Sequence, residues 1–131
     1  MSHLLDVNLL LACGWNSHSK HVAANRWLNS LPSFATCPAT QMGFIRVSMS
    51  PGYSATFQNA QSVLQAITKL RSHRFLPDET TAIDLPGVPS YRDISDGHLV
   101  RLARTAGLRL ATLDETLCQR TWAKGVAENP V

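Results

Sequence analysis

Three aspartates, Asp6, Asp96 and Asp114, stand where an apolar, strand-like run gives way to a helical one. In an open parallel sheet, residues at strand-to-helix switches collect along one edge, so carboxylates far apart in the chain can converge there. Each alone has an ordinary explanation, because Asp is a favoured N-cap and suits the positive end of a helix. Asp6 strains that explanation. It lies inside an apolar run, no basic residue is near it in sequence, and residues 7–77 contain no other carboxylate. An unpaired buried carboxylate is costly, and a bound cation removes the cost. Crowded carboxylates repel and raise one another's pKa, and a divalent ion restores them to the charged form. Hard oxygen donors select Mg²⁺ or Mn²⁺ over zinc, and the chemistry such a centre supports is metal-assisted hydrolysis of a phosphodiester.

The elements that must position these acids can be read from periodicity and punctuation. His3 to Val7 reads as a buried strand and Asn8 to Ala12 as a helical turn ending at Gly14. His18 to Leu31 carries apolar residues at helical spacing and stops before Pro32; Phe34 to Cys37 is a short strand, and Pro38 starts a helix that runs to about Met49. Ala55 to Leu70 forms another amphipathic helix, and Arg74 to Leu76 a strand. Residues 77–94 read as a Pro-rich loop with one short strand at Ala82 to Leu85. A helix opens at Ser95 or Asp96 and ends at Gly107, Leu108 to Leu113 is a strand, and Asp114 begins a last helix through about Ala123. Alternating strands and helices imply a mostly parallel sheet covered on both faces, a three-layer α/β/α sandwich.

Length and composition narrow the alternatives. At 131 residues with 44% hydrophobic and 16% charged content, the chain reads as a single globular domain over 1–131. No run approaches 18 apolar residues, so a membrane protein is not expected. Three scattered cysteines without a C-x-x-C pair speak against a disulfide framework and a Cys-based zinc site, and favour a reducing cytoplasm. The net charge is +3; setting the three aspartates aside leaves 12 basic residues against six acidic, a surround suited to a phosphate backbone.

Four segments now resemble a known family. Leu4-Leu5-Asp6-Val7-Asn8-Leu9-Leu10-Leu11-Ala12, Cys37-Pro38-Ala39-Thr40-Gln41-Met42-Gly43-Phe44-Ile45-Arg46, Ser95-Asp96-Gly97-His98-Leu99 and Leu110-Ala111-Thr112-Leu113-Asp114 are similar, in order and spacing, to the motifs of PIN-domain ribonucleases of the VapC toxin type. The resemblance spans nearly the whole chain. It implies a PIN-like α/β/α fold, an Mg²⁺- or Mn²⁺-dependent endoribonuclease acting on RNA, and a cytoplasmic toxin held inactive by a cognate antitoxin, often as a homodimer. Asp6, Asp96 and Asp114 match the acidic metal-site positions, Asn8 and Thr112 match polar positions beside them, and Arg46 matches an arginine common in the family. Many PIN domains carry Glu where this chain has Gln41, so Gln41 is a further candidate ligand, supplying a neutral oxygen and implying weaker metal binding.

Other residues invite weaker readings. Lys69, Arg71 and Arg74 form the densest basic cluster and are candidate RNA contacts, although cations at a helix end are ordinary. His18 and His21 have a spacing compatible with metal but no further ligand, His98 reads as structural, and Trp15, Trp27 and Trp122 are stacking candidates of which Trp27 lies on a core face. Two competing functions remain: a PIN-like RNA- or antitoxin-binding module without activity, and a haloacid dehalogenase-type phosphatase with Asp6 as nucleophile. The second expects an acid two positions on, where this chain has Asn8.

Overall fold

A computed structural model describes residues 2–131. Its five strands are β1 (His3–Leu5), β2 (Phe34–Thr36), β3 (His73–Phe75), β4 (Arg109–Ala111) and β5 (Ala127–Glu128). Six helices accompany them: α1 (Val7–Gly14), α2 (His21–Ser30), α3 (Pro38–Ser48), α4 (Phe57–Thr68), α5 (Ile94–Thr105) and α6 (Glu115–Gln119). The strands form one sheet in the order β3-β2-β1-β4-β5, every neighbouring pair parallel. β1 is central, with His3 opposite both Phe34 and Arg109.

Side chains alternate across the pleat and so create two cores. Leu4, Ala35 and Leu110 face one side, where Leu99, Val100, Leu102 and Ala103 of α5 and Leu117 of α6 cover them. Leu5, Phe34 and Ala111 face the other, under Leu9 and Leu10 of α1, Leu28 of α2, Phe44 of α3 and Ile67 of α4. The expected three layers are present. Crossovers of this kind return the chain to the same end of each strand, so β1 and β4 both release their next residue at one edge.

Several expected boundaries move. α1 already begins at Val7, because the Asp6 carboxylate accepts the Val7 N–H at 2.7 Å. α2 starts at His21 and not at His18, which lies in the preceding turn. The strand expected at Ala82 to Leu85 is a 3₁₀ turn, Ala82–Asp84; Ile83 within it is 90% exposed, so no face is buried that would hold an extended segment. α5 opens at Ile94 with Asp93 as its N-cap, so Asp96 stands inside the first turn and does not open the helix. The helix expected from Asp114 to Ala123 ends at Gln119: Arg120 is extended, and a separate 3₁₀ turn, Thr121–Ala123, carries Ala123 into the core beside α5. β5 is an addition, too short to show any periodicity.

Candidate metal centre

Asp6 leaves β1 at the centre of the sheet and is only 7% exposed. Its backbone N–H still belongs to the sheet, donating to the Ala111 carbonyl at 2.9 Å, while its side chain caps α1. The second carboxylate oxygen accepts from the Thr112 hydroxyl at 2.8 Å. With its one proton given to Asp6, the Thr112 oxygen accepts from Asn8 Nδ2 and from the Asp114 N–H, each at 3.1 Å. Asn8 completes the knot by accepting the Leu113 N–H at 3.0 Å. Thr112 is itself fully buried. The two strand ends are therefore joined through side chains as well as through the ladder.

Asp114 caps α6 by accepting the Leu117 N–H at 3.1 Å, and Asp96 sits half-buried in the first turn of α5. The three carboxylates feel one another. Burial, chiefly, raises the Asp6 pKa; the bonds from Thr112 and Val7 oppose this, and the charge of Asp114 adds to it. Asp96 is pushed up to about 6, by burial first and then by Asp6, Asp114 and Asp93. Asp93 is the acid that motif reading overlooked. It stands at the N-cap of α5 without making a capping bond, one turn before Asp96.

The donor set fits a divalent cation. The ion pairs among the described residues join His3 and Arg109 to Glu128 and His98 to Asp78, so Asp6, Asp96 and Asp114 have no cationic partner. All three offer hard oxygen donors, the type that Mg²⁺ and Mn²⁺ take. Among the described residues no three His, Cys, Asp or Glu side chains already stand close enough to grip one ion.

Gln41 points into a different group. It sits in the first turn of α3 and its amide donates to Thr36 Oγ1 at 3.0 Å; that hydroxyl lies 2.7 Å from His73 Nε2. Gln41 lines a cavity of about 1250 Å³ between α3, α4 and the end of β3, with Arg46, Phe57, Gln61, His73 and Phe75 also on its wall. Lys69 and Arg71 precede β3, at the sheet edge opposite the one where Asp6 and Asp114 emerge. Arg74 lies within β3, its guanidinium bonded to the carbonyls of Arg71 and His73. The basic cluster is thus not a rim around the acids. Arg92 lies four residues before Asp96, in the 3₁₀ turn Tyr91–Asp93 that runs into α5.

The remaining candidates have structural work. His21 lies 2.8 Å from the Ala12 carbonyl, and Asn25 donates to that of Cys13, so the pair closes the end of α1. His98 pairs with Asp78 at 2.6 Å. Trp15 stacks on Phe44 and donates to Ser48, Trp27 meets His3 edge-on, and Trp122 packs against the α5 core. Cys13, Cys37 and Cys118 are free.

An all-parallel α/β/α fold in which Asp6 and Asp114 follow two neighbouring strands and Asp96 stands in the first turn of α5 defines the class: an α/β protein with acidic residues at one end of its sheet. The chain is 41% identical over 118 residues to ribonuclease VapC38 of Mycobacterium tuberculosis (strain ATCC 25618 / H37Rv), covering 85% of this chain and 84% of that protein. It is 39% identical over 127 residues to ribonuclease VapC39 of the same strain, covering 89% and 91%. The chain belongs to the VapC ribonuclease family. No family model matches it. Solved structures agree on the fold: VapC20 of M. tuberculosis, described as a sarcin-ricin loop cleaving toxin, aligns with a TM-score of 0.63 at 13% identity over 86% of this chain and 89% of that one. VapBC2 of Rickettsia felis, bound to a DNA fragment from their promoter, aligns with a TM-score of 0.64 at 14% identity over 98% of both chains.

Proposed function

We propose that this chain, as one PIN-like domain over 1–131, hydrolyses RNA phosphodiester bonds internally, with Mg²⁺ or Mn²⁺ held by Asp6, Asp96 and Asp114. The observation that carries the reading is that Asp6 and Asp114 emerge at one sheet edge, that their charges raise the Asp96 pKa, and that none of the three has a cationic partner, in a member of a ribonuclease family. When bound, the ion would polarise a phosphoryl oxygen and lower the pKa of a coordinated water. The chain's own residues do the positioning. Thr112 holds one Asp6 oxygen and Val7 N–H the other, so the carboxylate plane is fixed before a ligand arrives. Asn8 locks the hydroxyl that does this. Gln41, whose amide nitrogen is engaged by Thr36, stands apart from the three acids and is left out of the proposed ligand set. Arg92 precedes Asp96 on the path into α5, whereas Lys69 and Arg71 precede β3 at the opposite sheet edge and, with Arg46 and Arg74, are left to distal backbone contacts.

The toxin reading supplies the partner, a cognate antitoxin, and the cytoplasmic setting and homodimer are proposed with it. Among the described residues no helix is long and apolar enough to cross a membrane. The cavity along α3 and α4, edged by exposed Met42, Met49, Phe57 and Phe75, has the apolar character of a protein-docking surface. The test is cleavage of RNA by the purified chain with Mn²⁺, with EDTA, and with Asp6→Asn or Asp96→Asn. Metal-dependent cleavage lost in both variants is expected; cleavage that survives in both sinks the assignment. Binding of RNA without cleavage at any metal concentration would favour the inactive module.

A further inference from the structure

We infer that Tyr91 is the stacking platform for one unpaired base of the RNA substrate, and that Arg92 holds its ring in place and neutralises the phosphate beside it. The inference rests on the ribonuclease reading and adds a substrate contact to it.

Tyr91 is 80% exposed, far more than Phe57 or Phe75, so the hydrophobic core does not explain its position. Scattered surface aromatics are common. This one is held. Arg92 Nε donates to the Tyr91 hydroxyl at 3.2 Å, and the guanidinium carbon stands 5.6 Å from the ring centroid, toward that hydroxyl. The guanidinium therefore sits at the hydroxyl end of the ring and steers it through that bond, while the exposed ring keeps its faces for a π-surface. The turn beneath is also fixed. Ser90 Oγ accepts the Arg92 N–H at 3.2 Å, and the Asp93 N–H returns to the Ser90 carbonyl at 3.0 Å. Val88 and Pro86 press against Gly97 of α5 so closely that a Cβ there would meet Val88 Cγ1 at 3.1 Å. Asp78 ties the start of the same loop to His98.

Position decides the occupant. The 3₁₀ turn runs directly into α5, so Tyr91 precedes Asp96 by roughly 8 Å of helical rise, about one nucleotide step from a phosphate at the acidic centre. The ring is open to solvent on this turn, so a flat base can cover it. Base stacking on an aromatic ring is tolerant of sequence, and an adjacent arginine adds to it.

The experiment uses an RNA oligonucleotide that the wild-type chain cuts in Mn²⁺, and copies of it abasic at single positions on either side of the cut. Tyr91→Ala should raise KM by about tenfold with kcat and Tm little changed, and Tyr91→Phe, which keeps the ring and loses the Arg92 bond, should fall between Tyr91→Ala and wild type. One abasic position should raise the wild-type KM by a similar factor and have no further effect in Tyr91→Ala. Equal KM values for wild type and Tyr91→Ala, or an abasic penalty that persists undiminished in the variant, overturn the inference. If wild type cuts no RNA, the ribonuclease reading itself fails and this contact falls with it.

Discussion

One hydroxyl organises the acidic centre, and its removal separates structural from electrostatic contributions. Thr112→Val keeps the shape of the side chain but strips Asp6, Asn8 and the Asp114 N–H of their shared partner. Outer-shell substitutions of this kind weaken a metal by about 10–100-fold. Mn²⁺ titration of the variant is expected to show that loss, and an unchanged midpoint would make Thr112 a packing residue only. The pH behaviour of Asp96 has a definite sign. With a folded pKa of about 6 against an ordinary value of 3.8, the native metal-free chain binds more protons than the unfolded chain between those limits. Stability therefore rises as pH falls through that window, whereas Mn²⁺ affinity drops because the proton competes for the same oxygens. Melting in EDTA at pH 5 and pH 7, beside Mn²⁺ titrations at the same two values, reads both trends.

At the level of elements, α1 matters because it begins on the residue that caps it. Val7 lies against Gly43 of α3, where an added Cβ would stand 2.5 Å from Val7 Cγ2. Gly43→Ala must therefore shift α1 or α3, at a cost of about 1–3 kcal/mol, and should lower cleavage because the Val7 N–H aligns Asp6. Val7→Ala in the same chain should restore much of both. Additive losses in the double variant would mean that the contact is not the cause. The elements also show what could be read beforehand. The apolar runs at Leu4-Leu5 and Leu110-Ala111 and the caps at Asp6 and Asp114 are local signals, so their strands and helices were legible. β5 was not, since two residues carry no period and Ala127 finds its partner only in β4. Asp93 was hidden because Ser90 begins the helical path earlier than any apolar repeat indicates. The sheet edge occupied by Lys69 and Arg71 is a matter of topology, which charge counts do not contain.

For the molecule as a whole, the charged forms of Asp6 and Asp96 oppose folding, and the proposed cation would offset this. A ligand that binds only the native state stabilises it by RT ln(1 + [L]/Kd), about 2.7 kcal/mol at a hundredfold excess over Kd. Saturating Mn²⁺ should accordingly raise the Tm of wild type clearly and that of Asp96→Asn little. In EDTA the order should reverse, because the variant lacks one of the mutually repelling charges. A wild-type Tm indifferent to Mn²⁺ would remove the centre from the account. The contrast needs no RNA, so it tests the metal independently of the substrate.

The bond between Asp6 and Thr112 spans 106 residues, and the strand it follows pairs with one that begins at Arg109. A ribosome adding about 5–20 residues per second needs roughly 5–20 s to travel that distance. Throughout that interval the first acid of the centre is exposed or loosely collapsed, with neither its hydroxyl nor its neighbouring carboxylates in place. The proposed metal-holding constellation is consequently a late product of translation. A cell making this chain has seconds of grace between the start of synthesis and the appearance of a competent site, and a partner already present can meet the chain at the moment it is completed.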